Sequence, residues 1–224
     1  MRIYLLLVLM LGFSFLFSGC SDVLPLGDSS TGPYDIEQRV WLRSNFIPVM
    51  DVNITGTPRD MYVELETPKG EVKSTQIFAD NFTDQTGKAE FTLAEPGDEV
   101  TTGGYEIRLR SQGEVISSKS FTLEEINLVV QDARFNITGN TINSITLTIK
   151  NEGVLPAYIQ QANVKVGDQD PKGWLFTRGV SPQETTTITI PREFEIRGDT
   201  VHVNVWFYYQ GDLVADYETD VSAE

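Results

Sequence analysis

YEIRLR (residues 105–110) alternates strictly between apolar and charged side chains. Successive side chains of a β-strand point to opposite faces of the sheet, so a period of two separates a buried face from a solvated one. Tyr105, Ile107 and Leu109 are therefore expected to face a core, and the charged residues between them to face water. The turn sequence SQGE at 111–114 and the returning stretch VISSKSFTL at 115–123 complete a predicted β-hairpin.

The same alternation recurs along the chain. It is found in MYVELE (61–66), SITLTIK (144–150), TTTITIP (185–191) and TVHVNVWFYY (200–209). Turn residues separate such stretches at intervals of about eight to twelve residues, and no amphipathic helix pattern occurs after residue 35. Evenly spaced short strands predict an all-β protein built from sandwiches rather than a parallel α/β sheet.

The length of the chain predicts two sandwiches. One seven-stranded β-sandwich takes about 100 residues, so we expect a first domain at 35–125 and a second at 126–224. The join falls in FTLEEINLVV (121–130), which contains no Gly or Pro. The last strand of the first domain is therefore expected to lead directly into the first strand of the second.

Two family resemblances agree with this division. TDQTGKAEFTL (83–93) with GGYEIRL (103–109) resembles the later strands of bacterial Ig-like domains of the invasin and macroglobulin type. LTIKNEGVLPA (147–157) with GVSPQETTTITIP (179–191) resembles CARDB-type, cell-adhesion-related Ig-like domains of archaeal and bacterial surface proteins. These resemblances imply tandem Ig-like domains, and a fold of this kind serves many unrelated functions.

The N-terminus has the pattern of a secretory signal. Met1-Arg2 precedes an apolar run from Ile3 to Phe17. LFSGC (16–20) resembles the lipobox of prokaryotic lipoproteins, which implies cleavage before Cys20 and a diacylglycerol on its thiol. Residues 1–19 are thus predicted to be a signal peptide, and residues 20–34, rich in Ser, Gly, Pro and Asp, a lipidated cysteine with a flexible tether. The alternative is an uncleaved N-terminal anchor helix.

The charge of the chain excludes one class of partner. The chain has 17 Lys and Arg against 32 Asp and Glu, a net charge of −15. Binding of phosphate backbones requires clustered Lys and Arg. Nucleic acid is therefore not a predicted partner, and the acidity is interpreted as promoting solubility.

Residues able to carry catalysis are few. His202 is the sole histidine, and Cys20 is the sole cysteine, so neither a Cys-His dyad nor a zinc site of His and Cys is expected. No Gly-x-Ser-x-Gly stretch is present. We predict no catalytic residue, no enzyme activity and no cofactor. A hydrolase that uses paired carboxylates is the remaining enzymatic alternative.

DQDPKG (168–173) begins like a calcium-binding loop. Asp168 and Asp170 are two residues apart and Gly173 is in sixth place. Lys172 occupies a ligand position, and the twelfth position is Gly179 rather than Glu. Asp168 and Asp170 are thus only weak calcium candidates, and no metal site is predicted.

Three Asn-x-Thr sequons are candidate glycosylation sites, at Asn53, Asn81 and Asn136. Asn81 is predicted to lie in a loop and is the best of them. The other two are predicted to lie on strands, so their use depends on which face of the sheet they occupy.

The stretch at 200–209 also supplies the candidate ligand surface. Val201, Val203, Val205 and Phe207 form one face, and the other combines imidazole, amide and aromatic groups. That mixed face holds His202, Asn204, Trp206 and Tyr208, with Tyr217 expected to join it from the neighbouring strand. Such groups suit a glycan or a protein partner. In the alternative arrangement the mixed face packs inward or a loop covers it.

These observations favour a non-enzymatic lipoprotein at the extracytoplasmic face of a prokaryotic membrane. It is expected to act in adhesion, as a scaffold, or as an accessory subunit of an envelope complex, held to the membrane by its lipid. The alternative function is binding of a glycan or solute through Trp206 and Tyr208.

Overall fold

The computed structural model describes residues 29–124 and 126–223. The regular secondary structure of the described chain is antiparallel β-strand apart from one short 3-10 turn at Ala79–Asn81. Within these residues no helix has the length and apolarity needed to cross a membrane. The predicted all-β class is confirmed. The predicted signal or anchor helix and Cys20 lie outside the described residues.

Eight strands form the first sandwich. They are β1 (Ser29–Thr31), β2 (Asp35–Leu42), β3 (Pro48–Thr55), β4 (Met61–Glu66), β5 (Val72–Ile77), β6 (Thr86–Thr92), β7 (Gly103–Ser111) and β8 (Glu114–Leu123). A five-stranded sheet has the order β1-β8-β7-β4-β5, and a three-stranded sheet has the order β2-β3-β6. The predicted hairpin at 105–123 corresponds to β7 and β8.

Eight further strands form the second sandwich. They are β9 (Leu128–Thr138), β10 (Thr141–Asn151), β11 (Ala157–Val166), β12 (Lys172–Val180), β13 (Thr185–Ile190), β14 (Phe194–Glu195), β15 (Thr200–Tyr209) and β16 (Asp212–Ser222). One sheet has the order β12-β11-β15-β16, and in the other β10 pairs with β9, β13 and β14.

Each sandwich has a core made by the alternating apolar residues of both its sheets. In the first, Met50 and Val52 of β3 belong to the same buried cluster as Ile107 and Leu109 of β7. In the second, residues such as Leu147 of β10 share a cluster with residues of β11 and β15. Each of these inward-facing side chains follows the period of two in the sequence.

The predicted tether is wrong in its last residues. Ser29–Thr31 pair with Ser120–Ser118 of β8 and thereby cover part of its edge. Gly32 passes so close to β8 that a Cβ at this position would lie 2.3 Å from the Ile116 carbonyl oxygen. Pairing of strands uses backbone groups, so a composition rich in Ser, Thr and Gly did not prevent it.

Tyr34 fastens this segment to the first sandwich. Its side chain is buried in the core cluster, and its hydroxyl donates to the Thr57 carbonyl oxygen at 2.7 Å. Its backbone N–H donates to the Ser117 hydroxyl at 3.2 Å. Residues 29–34 therefore belong to the folded part, and residues 20–28 lie outside the described residues.

A loop of the second sandwich completes the core of the first. Asn151, fully buried, donates from Nδ2 to the carbonyl oxygens of Leu155 and Val180 at 2.7 and 3.0 Å. Its Oδ1 accepts the Gly153 N–H at 3.0 Å. Leu155, only 1% exposed, belongs to the buried cluster of the first sandwich. The loop is thus held by one amide so that a leucine of the second sandwich enters the neighbouring core.

Two stacked tyrosines extend this joint between the sandwiches. The Tyr158 and Tyr209 rings stack with centroids 5.3 Å apart. The Tyr158 hydroxyl donates to the Phe46 carbonyl oxygen at 3.1 Å, and the Tyr209 hydroxyl donates to that of Gly97. Burial raises the pKa of the Tyr158 phenol well above its ordinary range. Burial likewise raises the pKa of the Tyr209 phenol, so both hydroxyls are protonated at neutral pH and can donate across the joint.

A glycine allows the two sandwiches to approach closely. A Cβ at Gly179 would lie 2.7 Å from both Leu42 Cδ1 and Phe46 Cδ1. Nearby, the Ser181 hydroxyl accepts the Leu42 N–H at 3.2 Å. Only a hydrogen fits at position 179 without displacement of these side chains.

Candidate ligand surface

The two faces of β15 lie on opposite sides of their sheet. Val203, Val205 and Phe207 are fully buried in the second core. The mixed face is turned away from that core. On it His202 is exposed, whereas Asn204, Trp206 and Tyr208 are half-buried.

Neighbouring strands extend this mixed face through their register. Trp206 lies opposite Asn163 of β11 and Asp216 of β16, and Asn163 lies opposite Gly173 of β12. The next row towards the joint aligns Leu175, Gln161, Tyr208 and Leu213 across all four strands. We call this outer surface of the β12-β11-β15-β16 sheet the open face.

The expected place of Tyr217 is wrong. Tyr217 lies opposite Val205, and side chains directly opposite each other in an antiparallel pair project to the same face. It is therefore half-buried against the second core rather than on the open face. Its neighbours Asp216 and Glu218 project outward instead. The alternation within β16 could have indicated this, because Tyr217 shares a face with the buried Ala215 and Val221 and is opposite in phase to its acidic neighbours.

The centre of the open face carries an ordered pair of amides. Gln161 Nε2 donates to Asn163 Oδ1 at 2.6 Å. Beside them Gly173 has no side chain, and a Cβ there would lie 3.2 Å from Asn163 Oδ1. The amides thus remain uncovered between the indole of Trp206 and the edge strand.

His202 lies at the end of the face that is farther from the joint. Its Nδ1 is 2.8 Å from Asp220 Oδ1, and its Nε2 is 3.6 Å from Glu218 Oε2. The hydrogen bond to Asp220, with the attraction of both carboxylates, raises the pKa of the imidazole above its ordinary value. When protonated, the imidazole is a local counterion for Asp220 and Glu218.

Two exposed leucines belong to the open face and were missed from the sequence. Leu175 is 76% exposed and Leu213 is 54% exposed. Trp174 and Phe176 pack on the core on either side of Leu175, so a period of two in GWLF would have placed Leu175 outward. Leu213 faces Tyr208 through a register shift between Phe207 and Tyr208, which sequence alone does not reveal.

The outer face of the first sandwich is built differently. At its centre Arg108 interacts with Glu64, Glu66 and Glu106, and Arg110 Nε donates to Glu64 Oε2 at 2.8 Å. We call this network the ion-pair ladder. Three exposed apolar side chains surround it, Tyr62, Val72 and Val115, and each lies opposite a charged member of the ladder. The charged side chains of the ladder are thus paired with one another within the sandwich.

The weak calcium candidates lie in the turn between β11 and β12. Asp168 and Asp170 are both exposed. Lys172 turns to the other sheet, where its Nζ donates to the Glu193 carbonyl oxygen at 2.6 Å and lies 4.7 Å from the centre of the Phe194 ring. In the described part of the chain no three His, Cys, Asp or Glu side chains are grouped so that they could hold a metal ion.

The sequons occupy three different settings. Asn136 is exposed on β9, and Asn53 is half-buried on the outer side of β3. Asn81 is exposed, and its Oδ1 accepts the Phe78 N–H at 3.1 Å. Asn53 and Asn81 line one polar depression of about 680 Å³ together with Lys88. A glycan on Asn81 would therefore lie beside Asn53.

Comparisons with known proteins concern the fold. No family model matches the sequence, and no curated protein matches it. A two-domain fibronectin type-III segment of chicken tenascin matches at 11% identity and TM-score 0.33, covering 86% of this chain and 100% of that one. The FN1–FN3 domains of chicken CNTN1 match at 11% identity and TM-score 0.27, covering 86% of this chain and 66% of that one. Red sea bream transglutaminase matches at 11% identity and TM-score 0.34, covering 87% of this chain and 32% of that one.

The described strands and sheets themselves place the chain in the all-β sandwich class, as predicted. The lipobox, CARDB-type and invasin- or macroglobulin-type resemblances stay predictions.

Proposed function

We propose that the protein is a non-enzymatic lipoprotein of the extracytoplasmic membrane face, anchored through Cys20, whose second sandwich binds a partner. Its role would be adhesion, scaffolding, or service as an accessory subunit of an envelope complex. In this proposal the first sandwich is the support, and the joint fixes the orientation of the second sandwich upon it.

The observation that carries the proposal is the row formed by Leu175, Tyr208 and Leu213 on the open face. Two exposed leucines and a half-buried tyrosine share this row, and the only residue between them is the uncharged Gln161. Exposed apolar surface with aromatic groups and a polar surround is typical of interaction sites. The ion-pair ladder leaves no comparable row on the first sandwich.

A pair of photo-crosslinking variants of the full chain tests the proposal in the native cells. A photoreactive phenylalanine analogue in place of Tyr208 should give a discrete heavier species. The same analogue in place of Tyr62, 51% exposed on the outer face of the first sandwich, is the matched control and should not. Equal crosslinking at both positions, or none at position 208, would contradict the proposal.

The anchor is tested separately. Cys20 is the sole thiol, and two acyl chains give lasting attachment where one does not. Cys20→Ala should abolish lipid labelling and release the protein from the membrane fraction. Variant protein that is still processed and stays with the membrane would show that the anchor is not the lipid.

A second candidate function is the binding of an extracellular glycan. Its support is the position of Trp206 between the amide of Asn163 and the carboxylate of Asp216. A sugar ring stacked on the indole would find hydrogen-bonding groups on both sides. Trp206→Ala should then abolish glycan binding, and Tyr62→Ala should leave it intact. Glycan binding that survives Trp206→Ala would remove this candidate.

A further inference from the structure

The open face changes from apolar to acidic along its length. Nearest the joint are the leucines and Tyr208, whereas Asp216, Glu218 and Asp220 follow at alternate positions along β16, all exposed. Alternate residues of a strand project to one face at intervals of about 6.8 Å. The surface therefore presents an apolar end and a column of evenly spaced carboxylates.

These carboxylates are incompletely neutralised by the chain itself. His202 interacts with Asp220 and Glu218. Among the described residues the Asp216 carboxylate has no ion-pair partner, although it lies directly opposite Trp206. An indole beside a free carboxylate attracts a cationic side chain, through the π-face of the ring and through charge.

The aliphatic residues distinguish between two kinds of ligand. A sugar would use the indole and the amides, but it would leave Leu175 and Leu213 exposed. A polypeptide with an apolar end and basic side chains would cover both parts of the surface. An extended polypeptide also repeats its side chains every second residue, which matches the spacing of the carboxylates.

We propose that the open face binds an extended segment of a protein partner, with Lys or Arg side chains at alternate positions along Asp216 and Glu218 and an apolar end over Tyr208 and Leu213. This inference rests on the proposed function and specifies the chemistry of the partner. Charge complementarity would accelerate the encounter, and the apolar end would contribute to residence time.

Binding of short synthetic peptides to the full-length protein tests the inference. The probe is a labelled peptide in which lysine alternates with threonine and one end carries leucines, and its matched control has glutamate for lysine. The basic peptide should bind, more weakly as salt rises, and the acidic peptide should not. Asp216→Asn and Trp206→Ala should each weaken binding by about tenfold. Asp216→Asn is nearly isosteric, so it tests the charge without risk to the fold.

A charge-matched variant separates a specific site from the overall acidity of the protein. Glu106→Gln removes one negative charge from the ion-pair ladder and should leave the affinity unchanged. Equal weakening by Glu106→Gln and Asp216→Asn, equal binding of both peptides, or binding of glycans without the basic peptide would each overturn the inference. Crosslinking from position 208 without peptide binding would overturn this inference alone, whereas absence of both would overturn the proposed function as well.

Discussion

The two sandwiches differ in how their cores are completed and in what their outer faces expose. The first is closed on its outer face by the ion-pair ladder, yet its core includes Leu155 from the other sandwich. The second has a core whose members all lie within its own residues 128–223, yet its outer face leaves Leu175 and Leu213 exposed and Trp206 and Tyr208 half-buried. This difference is the basis of our proposal that the first sandwich is the support and the second is the binding module.

The largest expected effect on stability comes from Leu155, the residue of the second sandwich that packs in the core of the first. Leu155→Ala should lower the free energy of unfolding by about 2–4 kcal/mol, because it leaves a cavity in the first core. Urea unfolding followed by tryptophan fluorescence measures the loss. Its neighbour Val154 is 47% exposed, so Val154→Ala should cost less than about 0.5 kcal/mol. Equal costs for the two variants would mean that Leu155 does not complete that core.

The ion-pair ladder should give the next largest effect. The Arg108 side chain is only 23% exposed and interacts with three glutamates, so Arg108→Ala should cost about 1–2 kcal/mol of stability. Arg134 pairs with Asp132 but is 83% exposed, and Arg134→Ala should cost less than about 0.5 kcal/mol. If Arg108→Ala lowered the free energy of unfolding no more than Arg134→Ala in the same assay, the ladder would not contribute to stability.

The open face should contribute little to stability. Trp206→Ala is expected to lower the free energy of unfolding by less than about 1 kcal/mol, because the indole projects away from the core. Trp174 is in the same sandwich but packs on that core, so Trp174→Ala should cost more. A larger loss for Trp206→Ala than for Trp174→Ala, in thermal or urea unfolding, would mean that the open face is structural.

The smallest expected effect is a dependence on pH. The folded pKa of His202 is raised above 6.5, chiefly by the hydrogen bond to Asp220, so the charged imidazole is favoured in the folded state. Its contribution to stability is fully present below the unfolded pKa and is lost as pH rises through the folded pKa. The stability difference from His202→Gln should therefore shrink towards alkaline pH. An NMR titration that gives His202 a pKa at or below its ordinary value would contradict this.

Local sequence patterns predicted the strands but not the way they meet. Alternation placed Ile107, Leu147 and Val205 in cores and turned Trp206 away from one, because each depends only on the period of its own strand. Tyr217 was misplaced although the period of its own strand turns it away from Asp216 and Glu218; Leu213 was missed because its place depends on the register shift near the start of β16. Leu155 lies in a turn of the second sandwich, and nothing in the sequence of that turn indicates that Leu155 packs in the core of the first.

The register of β1 also determines how the molecule would carry tension. Ser29 is paired with Ser120, three residues before β8 ends at Leu123, and β9 begins at Leu128. A pull between the N-terminal end and the second sandwich is therefore borne by the short β1–β8 pairing and the connection to β9. Most of the first sandwich does not transmit this force. The hydrogen bonds between the three residues of β1 and β8 would therefore break before the core is strained.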